Sequence, residues 1–416
     1  MQRNGPLSFG QLSIWRDVRT LPPARWAEAN VSAVWPLPDG TAVAGVRRAM
    51  QRLVRRHPSL RTTYQLTDPD RPEQLVQPDG DLELDVVDLA TQDVPAALAE
   101  LGSGPFDLER GTGWRARVLT ARGHAAYLVF VNHHIVADGG GQAVLQADLS
   151  AQLRTPAGNA VEEDTYSLVT MAEEQRSPTF AAKNEAALRN WRACLPPACS
   201  SAMGDPAPPD AETLQASLCC PGLATTAYDL ARRADISPAS VFLAAYAMAI
   251  RRATGLTSVP LRLMSSNRFS ARWGRYVTSM NQWAPLQFDM PVEDDLPTLA
   301  RRLHHVAVRA YRLGMYDPEA LARLRADRPE LSRQAESAWA FNHITADRSL
   351  YVSGSDDPSD GEVRWESGFH RFGHRFYLRA FDDGTLRLRG RGTSRDLVAA
   401  ILTGVRDVMV GPAPVR

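Results

Sequence analysis

The sequence predicts an α+β fold in which helices and strands are interleaved along the chain. Apolar side chains recur at helical spacing over residues 238–254 and 297–313, as in helices that bury one face. The apolar run over residues 127–131 is typical of a buried strand. The turn sequence Asp382-Asp383-Gly384 separates two strand-like segments and predicts a β-hairpin. Strands mixed with helices in this way are expected to pack as layers around a common core.

The predicted helices follow the spacing of apolar residues and the stop signals between them. In residues 41–54, valine and methionine side chains recur at helical spacing, and Pro58 follows as a stop signal. Pro297 suits the first turn of the helix that it opens. The predicted helices span residues 6–15, 41–54, 95–101, 142–153, 166–191, 224–233, 238–254, 297–313 and 395–409.

The predicted strands are short segments rich in apolar side chains. They span residues 31–37, 84–87, 127–131, 258–264, 338–344, 376–380 and 385–391. Residues 114–118 are expected to form a further strand beside the one that carries His133. Residues 154–164 and 195–210 are rich in proline, small or polar residues and are predicted to be loops.

The charge of the chain is balanced. Its 416 residues include 47 basic and 47 acidic side chains, so the formal net charge is zero. This balance gives no electrostatic reason to expect a nucleic acid or an anionic membrane as partner. The length is sufficient for two or three domains, or for two lobes that share a cleft.

The cysteines, histidines and apolar runs argue against a metal site, a disulfide framework and a membrane anchor. The four cysteines are Cys194, Cys199, Cys219 and Cys220. They form no C-x-x-C pair, so reduced thiols are expected. His370 and His374 lack a nearby acid, which disfavours a metal pair. The N-terminus lacks the core of a signal peptide, and no apolar run approaches the ~20 residues of a membrane span. We therefore predict a cytoplasmic protein without a metal.

The strongest functional signal is the turn that follows the apolar run 127–131. It reads Asn132-His133-His134-Ile135-Val136-Ala137-Asp138-Gly139-Gly140-Gly141 and leads into a predicted helix. Such a turn presents side chains and backbone N–H groups to a ligand. A neutral imidazole there can take a proton from an attacking amine or hydroxyl. Adjacent histidines on an extended backbone point to opposite sides, so one faces a cleft and the other is packed. Asp138 either orients a histidine or pairs with a distant cation.

The motif His133-His134-x-x-x-Asp138-Gly139 resembles the HHxxxDG signature of the condensation-domain superfamily of nonribosomal peptide synthesis. Residues 6–15, 56–63, 104–118 and 267–286 are similar to further elements of that family, and Arg268 falls at the arginine of the last one. Tyr166 resembles the tyrosine of the region that joins the two lobes. The sequence departs from the family pattern at Ala172, where a tryptophan is usual, and at residues 316–319.

The resemblance implies a fold and a reaction. The fold is two chloramphenicol-acetyltransferase-like lobes that form a V, with the active site in a tunnel between them. The N-terminal lobe, residues 1–170, is expected to carry the HHxxxDG turn, and the C-terminal lobe, residues 171–416, is expected to complete the tunnel. The reaction is attack of an amine, or less often a hydroxyl, on an acyl thioester. That thioester is carried by the phosphopantetheine of a separate carrier protein, and no bound cofactor is implied.

The resemblance also implies roles for the residues of the turn. His134 is expected to face the tunnel and to accept the proton of the nucleophile or position it. His133 is expected to point inward and support the turn. Asp138 is expected to pair with Arg268, because a buried carboxylate without its partner is costly. The N–H of Gly139 is expected to stabilise developing negative charge on the thioester oxygen.

These features predict a free-standing condensation enzyme of secondary-metabolite biosynthesis, such as antibiotic production. It would act with acyl or peptidyl carrier proteins in trans and form an amide or an ester with a free or carrier-bound acceptor. Two alternatives stay open: an acyltransferase of the same superfamily that uses acyl-coenzyme A or serves a polyketide pathway, and a non-catalytic docking module that recruits another enzyme. The intact motif disfavours the docking module.

Overall fold

Helices and strands alternate through the computed structural model of the chain, which describes residues 3–80, 82–154, 166–194, 208, 211–290, 294–327, 339–345, 361–367 and 373–411. The described residues fall into two compact units. Unit 1 comprises those of Met1–Ala182 together with Arg268–Asn281. Unit 2 comprises those of Lys183–Asn267, Gln282–Thr345 and Ser355–Arg416.

The helices and strands of the described residues have the following bounds. The helices are α1 Phe9–Val18, α2 Val43–Arg56, α3 Val94–Gly102, α4 Gly139–Arg154, α5 Leu168–Gln175, α6 Pro178–Ala193, α7 Pro221–Ala234, α8 Pro238–Thr254, α9 Ala271–Gly274, α10 Leu296–Arg312, α11 Pro318–Ala326 and α12 Arg395–Val410. The strands are β1 Arg3–Pro6, β2 Asn30–Pro36, β3 Thr62–Gln65, β4 Glu73–Val76, β5 Asp85–Asp88, β6 Trp114–Ala121, β7 His124–His133, β8 Thr213–Cys219, β9 Ser258–Ser265, β10 Gln282–Asp289, β11 Trp339–Ile344, β12 Val363–Trp365, β13 Phe376–Phe381 and β14 Thr385–Arg391.

Short polar side chains set the start of many of these helices. Each accepts a hydrogen bond from the N–H three residues further on, which satisfies one of the donors that a helix start leaves unpaired. The residues that do so are Ser8, Asp93, Ser167, Ser237, Ser270, Asp295 and Ser394. At α1 the Gln11 side chain also accepts from the N–H of Ser8, which completes a capping box.

The structure corrects several of the predicted elements. Residues 166–191 were predicted as one helix but form α5 and α6, because Pro178 cannot continue a helix and disfavours the helical conformation at the residue before it. Strands β1, β4, β8, β10 and β12 and helices α9 and α11 were not predicted. Residues 155–164 and 195–207 of the predicted loops lie outside the described residues, as do Cys199 and His370.

Unit 1 contains two small sheets. The four-stranded sheet has the order β2-β7-β6-β5, and a three-stranded sheet has the order β1-β4-β3. Strand β7 lies inside the first sheet and pairs antiparallel with β2 and β6, so the pairing predicted for residues 114–118 is present. All of its residues from Leu128 to His133 are buried. The pairing of Asn30 with His133 places the histidine motif at the buried end of this strand.

Unit 2 is built on one seven-stranded sheet with the order β10-β9-β11-β13-β14-β8-β12. Side chains alternate between the two faces of each strand. One face carries leucine, alanine and phenylalanine side chains that pack against α8, α10 and α12 in the main hydrophobic core of this unit. The other face carries Arg262, Trp283, Tyr377 and Arg389.

The compact units divide the chain differently from the predicted lobes. The predicted boundary lay after residue 170, whereas unit 1 continues to Ala182, within α6. The segment Arg268–Asn281 was assigned to the C-terminal lobe, whereas it belongs to unit 1. The reason is that an ion pair and several hydrogen bonds tie this segment to β7, α4 and Tyr166, as described below. In the part of the chain that the structure describes, no helix has the length and apolar character needed to cross a membrane.

Replacing Gly10 should destabilise unit 1, because α1 packs directly on the backbone of the segment Arg268–Asn281. A Cβ at Gly10 would lie 2.3 Å from the carbonyl oxygen of Ser279 and 2.6 Å from Cα of Met280, and backbone atoms cannot move aside easily. We expect Gly10→Ala to lower the free energy of unfolding by about 2 kcal/mol, measured by chemical denaturation.

Gly45→Ala in α2 is the matched control for this prediction. A Cβ there meets only the tip of the Arg48 side chain, at 4.0 Å. This helical glycine should therefore gain about 0.5–1 kcal/mol on replacement by alanine. Equal effects of the two substitutions would contradict the packing of α1 described here.

Candidate active site

The backbone of both histidines is fixed by neighbouring strand ends. The N–H of His133 donates to the carbonyl of Gly113, and the N–H of His134 donates to the carbonyl of Ala29, both at 2.8 Å. After His134 the chain leaves β7, turns, and enters α4 at Gly139. The turn is thus held from two sides before any side chain contributes.

The side chain of Asn132 closes the turn from inside. Its Nδ2 donates to the carbonyls of His133 and Ala137, both at 2.8 Å, and its Oδ1 accepts from Nε2 of Gln142 at 2.8 Å. Sequence reasoning gave Asn132 no role. The available signal was an amide side chain at the end of an otherwise apolar strand, where a buried polar group needs partners.

His133 is a buried, neutral support of the turn. Its side chain is 2% exposed, and its Nδ1 accepts from the N–H of Ile135 at 3.1 Å. That acceptor role leaves the ring proton on Nε2. Burial, with a smaller effect of His134, lowers the pKa of His133 to about 3. The predicted inward position of His133 is present.

His134 is half-buried and is the more accessible of the two rings. Its Nδ1 lies 3.4 Å from Oγ of Ser279. If the Ser279 hydroxyl accepts the Nδ1 proton, the lone pair lies on Nε2. Burial lowers the pKa of His134, although the charge of Asp138 opposes this shift. His134 is therefore neutral near pH 7, as a general base has to be. Ser279 was not singled out from the sequence.

Asp138 is locked in place by an arginine and three backbone groups. Its carboxylate is 1% exposed and meets Nη1 and Nη2 of Arg268 at 2.8 Å each. It also accepts from the N–H of Met280 at 2.9 Å, of Asn281 at 3.1 Å and of Gly141 at 2.8 Å. The ion pair implied by the resemblance is therefore present, and Asp138 pairs with a cation instead of orienting a histidine.

Burial alone would raise the pKa of Asp138. The charge and hydrogen bonds of Arg268, assisted by the N–H groups of Met280 and Gly141, outweigh burial and lower the pKa below its ordinary value. The carboxylate is thus ionised near pH 7. Its bond from Gly141 also caps the start of α4.

The glycines after Asp138 make room for Arg268. A Cβ at Gly140 would lie 3.0 Å from Cζ and Nη1 of Arg268, so a larger residue there would displace the guanidinium by a few tenths of an ångström. Arg268 also donates to the carbonyls of Tyr276 and Thr278, at 3.3 and 3.1 Å. Gly139 is the first residue of α4, and its N–H has no acceptor within the helix. Its role toward a thioester oxygen stays a prediction.

A second set of contacts anchors the segment that carries Ser279. The hydroxyl of Tyr166 accepts from the N–H of Val277 at 3.0 Å and lies 3.0 Å from Nδ1 of His57, while Nε2 of His57 lies 2.9 Å from Asp148. The rings of Tyr166 and Tyr276 stack with centroids 4.1 Å apart.

Burial lowers the pKa of His57 despite the neighbouring Asp148. A neutral His57 can donate to Asp148 and accept from Tyr166, which leaves Tyr166 free to accept from Val277. His57 therefore supports the structure by holding Tyr166 in place.

Metal ligands are not assembled near this turn. Within the ranges that the structure describes, no three or more His, Cys, Asp or Glu side chains come together in a way that could hold a metal ion.

Comparisons with known proteins place this geometry in a family. The model of the condensation domain matches residues 25–336. The chain belongs to the condensation-domain family. Chondramide synthase cmdD of Chondromyces crocatus is 37% identical over 123 residues, which are 26% of this chain and 3% of the synthase. Nonribosomal peptide synthetase kk1B of Curvularia clavata is 26% identical over 309 residues, which are 68% of this chain and 2% of the synthetase. The chain therefore spans only a few per cent of these relatives.

Solved condensation domains share the fold. The condensation domain of the Monacolin K polyketide synthase MokA superposes with a TM-score of 0.78 at 18% identity and covers 98% of this chain and 96% of its own. The SgcC5 protein of Streptomyces globisporus gives a TM-score of 0.72 at 20% identity, with 99% and 100% covered. These matches confirm the predicted fold class, an α+β fold with two chloramphenicol-acetyltransferase-like lobes.

Asp138→Asn should destabilise the protein near neutral pH, because it leaves the guanidinium of Arg268 without its charge partner. We expect a loss of about 3 kcal/mol in the free energy of unfolding. The pKa of Asp138 is lowered in the folded state, so its contribution is complete above about pH 4 and is lost as the pH falls further. Urea unfolding between pH 7 and pH 2 should show a weaker acid dependence for Asp138→Asn than for the wild type.

Asp39→Asn is the control, because Asp39 is exposed. It should follow the wild-type curve at every pH. Parallel acid dependence of Asp138→Asn and the wild type would contradict the described state of Asp138.

Proposed function

We propose that this condensation domain transfers an acyl or aminoacyl group from a phosphopantetheine thioester of a carrier protein to an amine or hydroxyl acceptor. The observation that carries the proposal is the state of His134. It is a neutral, half-buried imidazole at a strand end, and its backbone is fixed by Ala29. Family membership supports acyl transfer as the class of reaction.

In the proposed step, the nitrogen or oxygen of the acceptor forms a bond to the thioester carbonyl carbon. The proton of the acceptor passes to Nε2 of His134, and the C–S bond then breaks. The leaving thiolate takes a proton, which His134 can return to it. The reaction is balanced without a redox partner, and the pantetheine arm remains on its carrier protein.

The other residues of the motif have supporting roles in this proposal. Asp138 is saturated by Arg268 and backbone N–H groups, so it holds the start of α4 in place and does not accept the proton. His133 supports the turn through the N–H of Ile135. The N–H of Gly139 is proposed to donate to the thioester oxygen as negative charge develops on it.

The proposed partner is a carrier protein supplied in trans, and the chain itself is proposed to be free-standing and to hold no cofactor. One relative is a nonribosomal peptide synthetase, and one structural neighbour is the condensation domain of a polyketide synthase. Similarity to such synthases favours a carrier-bound donor over acyl-coenzyme A. Another structural neighbour is an epimerization domain of tyrocidine synthetase B, with a TM-score of 0.72 at 18% identity. Activity therefore has to be measured as formation of the new amide or ester bond.

His134→Ala should abolish most of the bond-forming activity. We expect the rate of product formation from a carrier-bound acyl donor to fall by about 10²- to 10⁴-fold, because a positioned general base contributes that much. Mass spectrometry of the product, with a panel of loaded carrier proteins and candidate amines and alcohols, is the measurement.

His124→Ala is the matched control, because His124 is exposed at the other end of β7. Its activity should equal that of the wild type. Full activity of His134→Ala would reject the catalytic role and favour a docking module. Turnover of acyl-coenzyme A without turnover of any carrier-bound donor would reject the proposed partner.

The pH dependence of the reaction should report the lowered pKa of His134. A base has to be neutral, so activity should be constant around pH 7 and fall only below the ordinary imidazole value of about 6.5. The measurement is kcat/KM against pH with a donor whose thioester is stable over the range. A fall in kcat/KM that begins above pH 7 would contradict a neutral His134.

A further inference from the structure

The face of the unit 2 sheet that lies opposite α8, α10 and α12 carries a buried arginine. In the register of the strands, Arg262 on β9 lies between Pro285 on β10 and Ala340 on β11, and Tyr377 on β13 follows beside Ala340. Directly paired residues lie on the same face of a sheet. The neighbours of Arg262 in sequence, Leu261 and Leu263, belong to the hydrophobic core on the helix side. The two faces therefore differ sharply in chemistry.

Arg262 is 0% exposed, and one edge of its guanidinium has no acceptor in the described part of the chain. Nη1 donates to the carbonyl of Leu261 at 3.0 Å. Nε and Nη2 are buried and find no partner among the described residues. These two donors form the edge with which an arginine binds both oxygens of a carboxylate at once. A buried cation with two unpaired donors is costly and points to an absent anionic partner.

The charged group that acts most strongly on Arg262 is another cation, Arg325. The guanidinium carbons of Arg262 and Arg325 lie 4.7 and 4.9 Å from the centre of the same Trp191 ring. The other groups that act on the charge of Arg262 are Cys194 and Tyr316. A thiol and a phenol carry no charge near pH 7 at their ordinary pKa values. Burial in particular raises the pKa of the Cys194 thiol. Among the described residues, these neighbours leave Arg262 without a compensating negative charge.

The lowered pKa of His374 reflects the same excess of positive charge. Its pKa lies well below the ordinary value, first because of burial and then because of the charges of four arginines. Those arginines are Arg262, Arg325, Arg389 and Arg391. The positive charge of this region therefore converges on the neighbourhood of His374.

Aromatic side chains form an apolar surface beside these arginines. The ring of Trp283 lies 4.5 Å from that of His374 and 5.3 Å from that of Tyr377, measured between centroids. Trp283 and Tyr377 are half-buried, so part of each side chain stays accessible to a ligand. The region thus combines a fork of buried donors with flat apolar surface, as sites for small organic ligands do.

We propose that this face of unit 2 binds a small organic carboxylate. Its two oxygens would accept hydrogen bonds from Nε and Nη2 of Arg262, and its apolar body would pack against Trp283 and Tyr377. Arg325 adds positive charge on the shared Trp191 ring. The proposal rests on Arg262 and its neighbours and not on the reaction proposed for His134, so either can fail without the other.

The test is a calorimetric titration of the full chain with benzoate, acetate and inorganic phosphate, with chloride at equal ionic strength as the reference. We expect benzoate to bind in a 1:1 ratio and more tightly than acetate or phosphate, and to raise the melting temperature progressively with the logarithm of its concentration above Kd. Arg262→Met should weaken benzoate binding at least about tenfold, because it removes the donor fork. Arg252→Met, at an exposed arginine on α8, should leave binding unchanged.

Two further variants separate binding from folding. Arg262→Lys keeps the charge but lacks the fork, so it should also lose most benzoate affinity. Trp283→Leu should weaken benzoate binding while acetate binding stays the same. The proposal is overturned if the wild type does not distinguish benzoate from chloride, if phosphate binds more tightly than benzoate, or if both Arg262 variants bind like the wild type.

Discussion

The carboxylate of Asp138 and the guanidinium of Arg268 meet at two N···O distances of 2.8 Å, in surroundings that exclude most of the solvent. Residues 130 positions apart in the chain are joined there. Neither charge could be buried alone, because no attraction to a partner would then offset its desolvation cost. The carboxylate also accepts hydrogen bonds from three backbone N–H groups, those of Gly141, Met280 and Asn281. The pair therefore fixes the start of α4 and the segment Arg268–Asn281 at the same time.

The position of His134 depends on this arrangement. The backbone N–H of His134 binds the carbonyl of Ala29, and Nδ1 of the ring faces Ser279, which lies next to the Met280 N–H that binds Asp138. Tyr166 and His57 hold the same segment from a second direction. The result is a neutral imidazole in a fixed frame, which is a condition for proton transfer without costly rearrangement.

Unit 2 shows a different constraint, imposed by a sheet whose two faces differ in chemistry. The face against α8, α10 and α12 buries a continuous apolar core. The opposite face holds Arg262 under full burial with a second arginine near by. Proteins rarely keep such a charge without a use, since an apolar residue of similar volume is often as stable or more so. The energetic cost of Arg262 is the reason to connect this face with an anionic ligand.

The sequence by itself determined the alternation of helices and strands, the position of the histidine motif at a strand end and the family. Apolar periodicity and a motif of adjacent residues are local properties, so they can be recognised in the sequence without knowledge of distant contacts. The tertiary structure decided what local patterns do not encode. It showed that Asn132 closes the turn, that Ser279 faces His134, that Gly140 makes room for Arg268 and that the segment Arg268–Asn281 belongs with unit 1. The last three depend on residues brought together from far apart in the chain, and spacing along the sequence carries no record of such pairings.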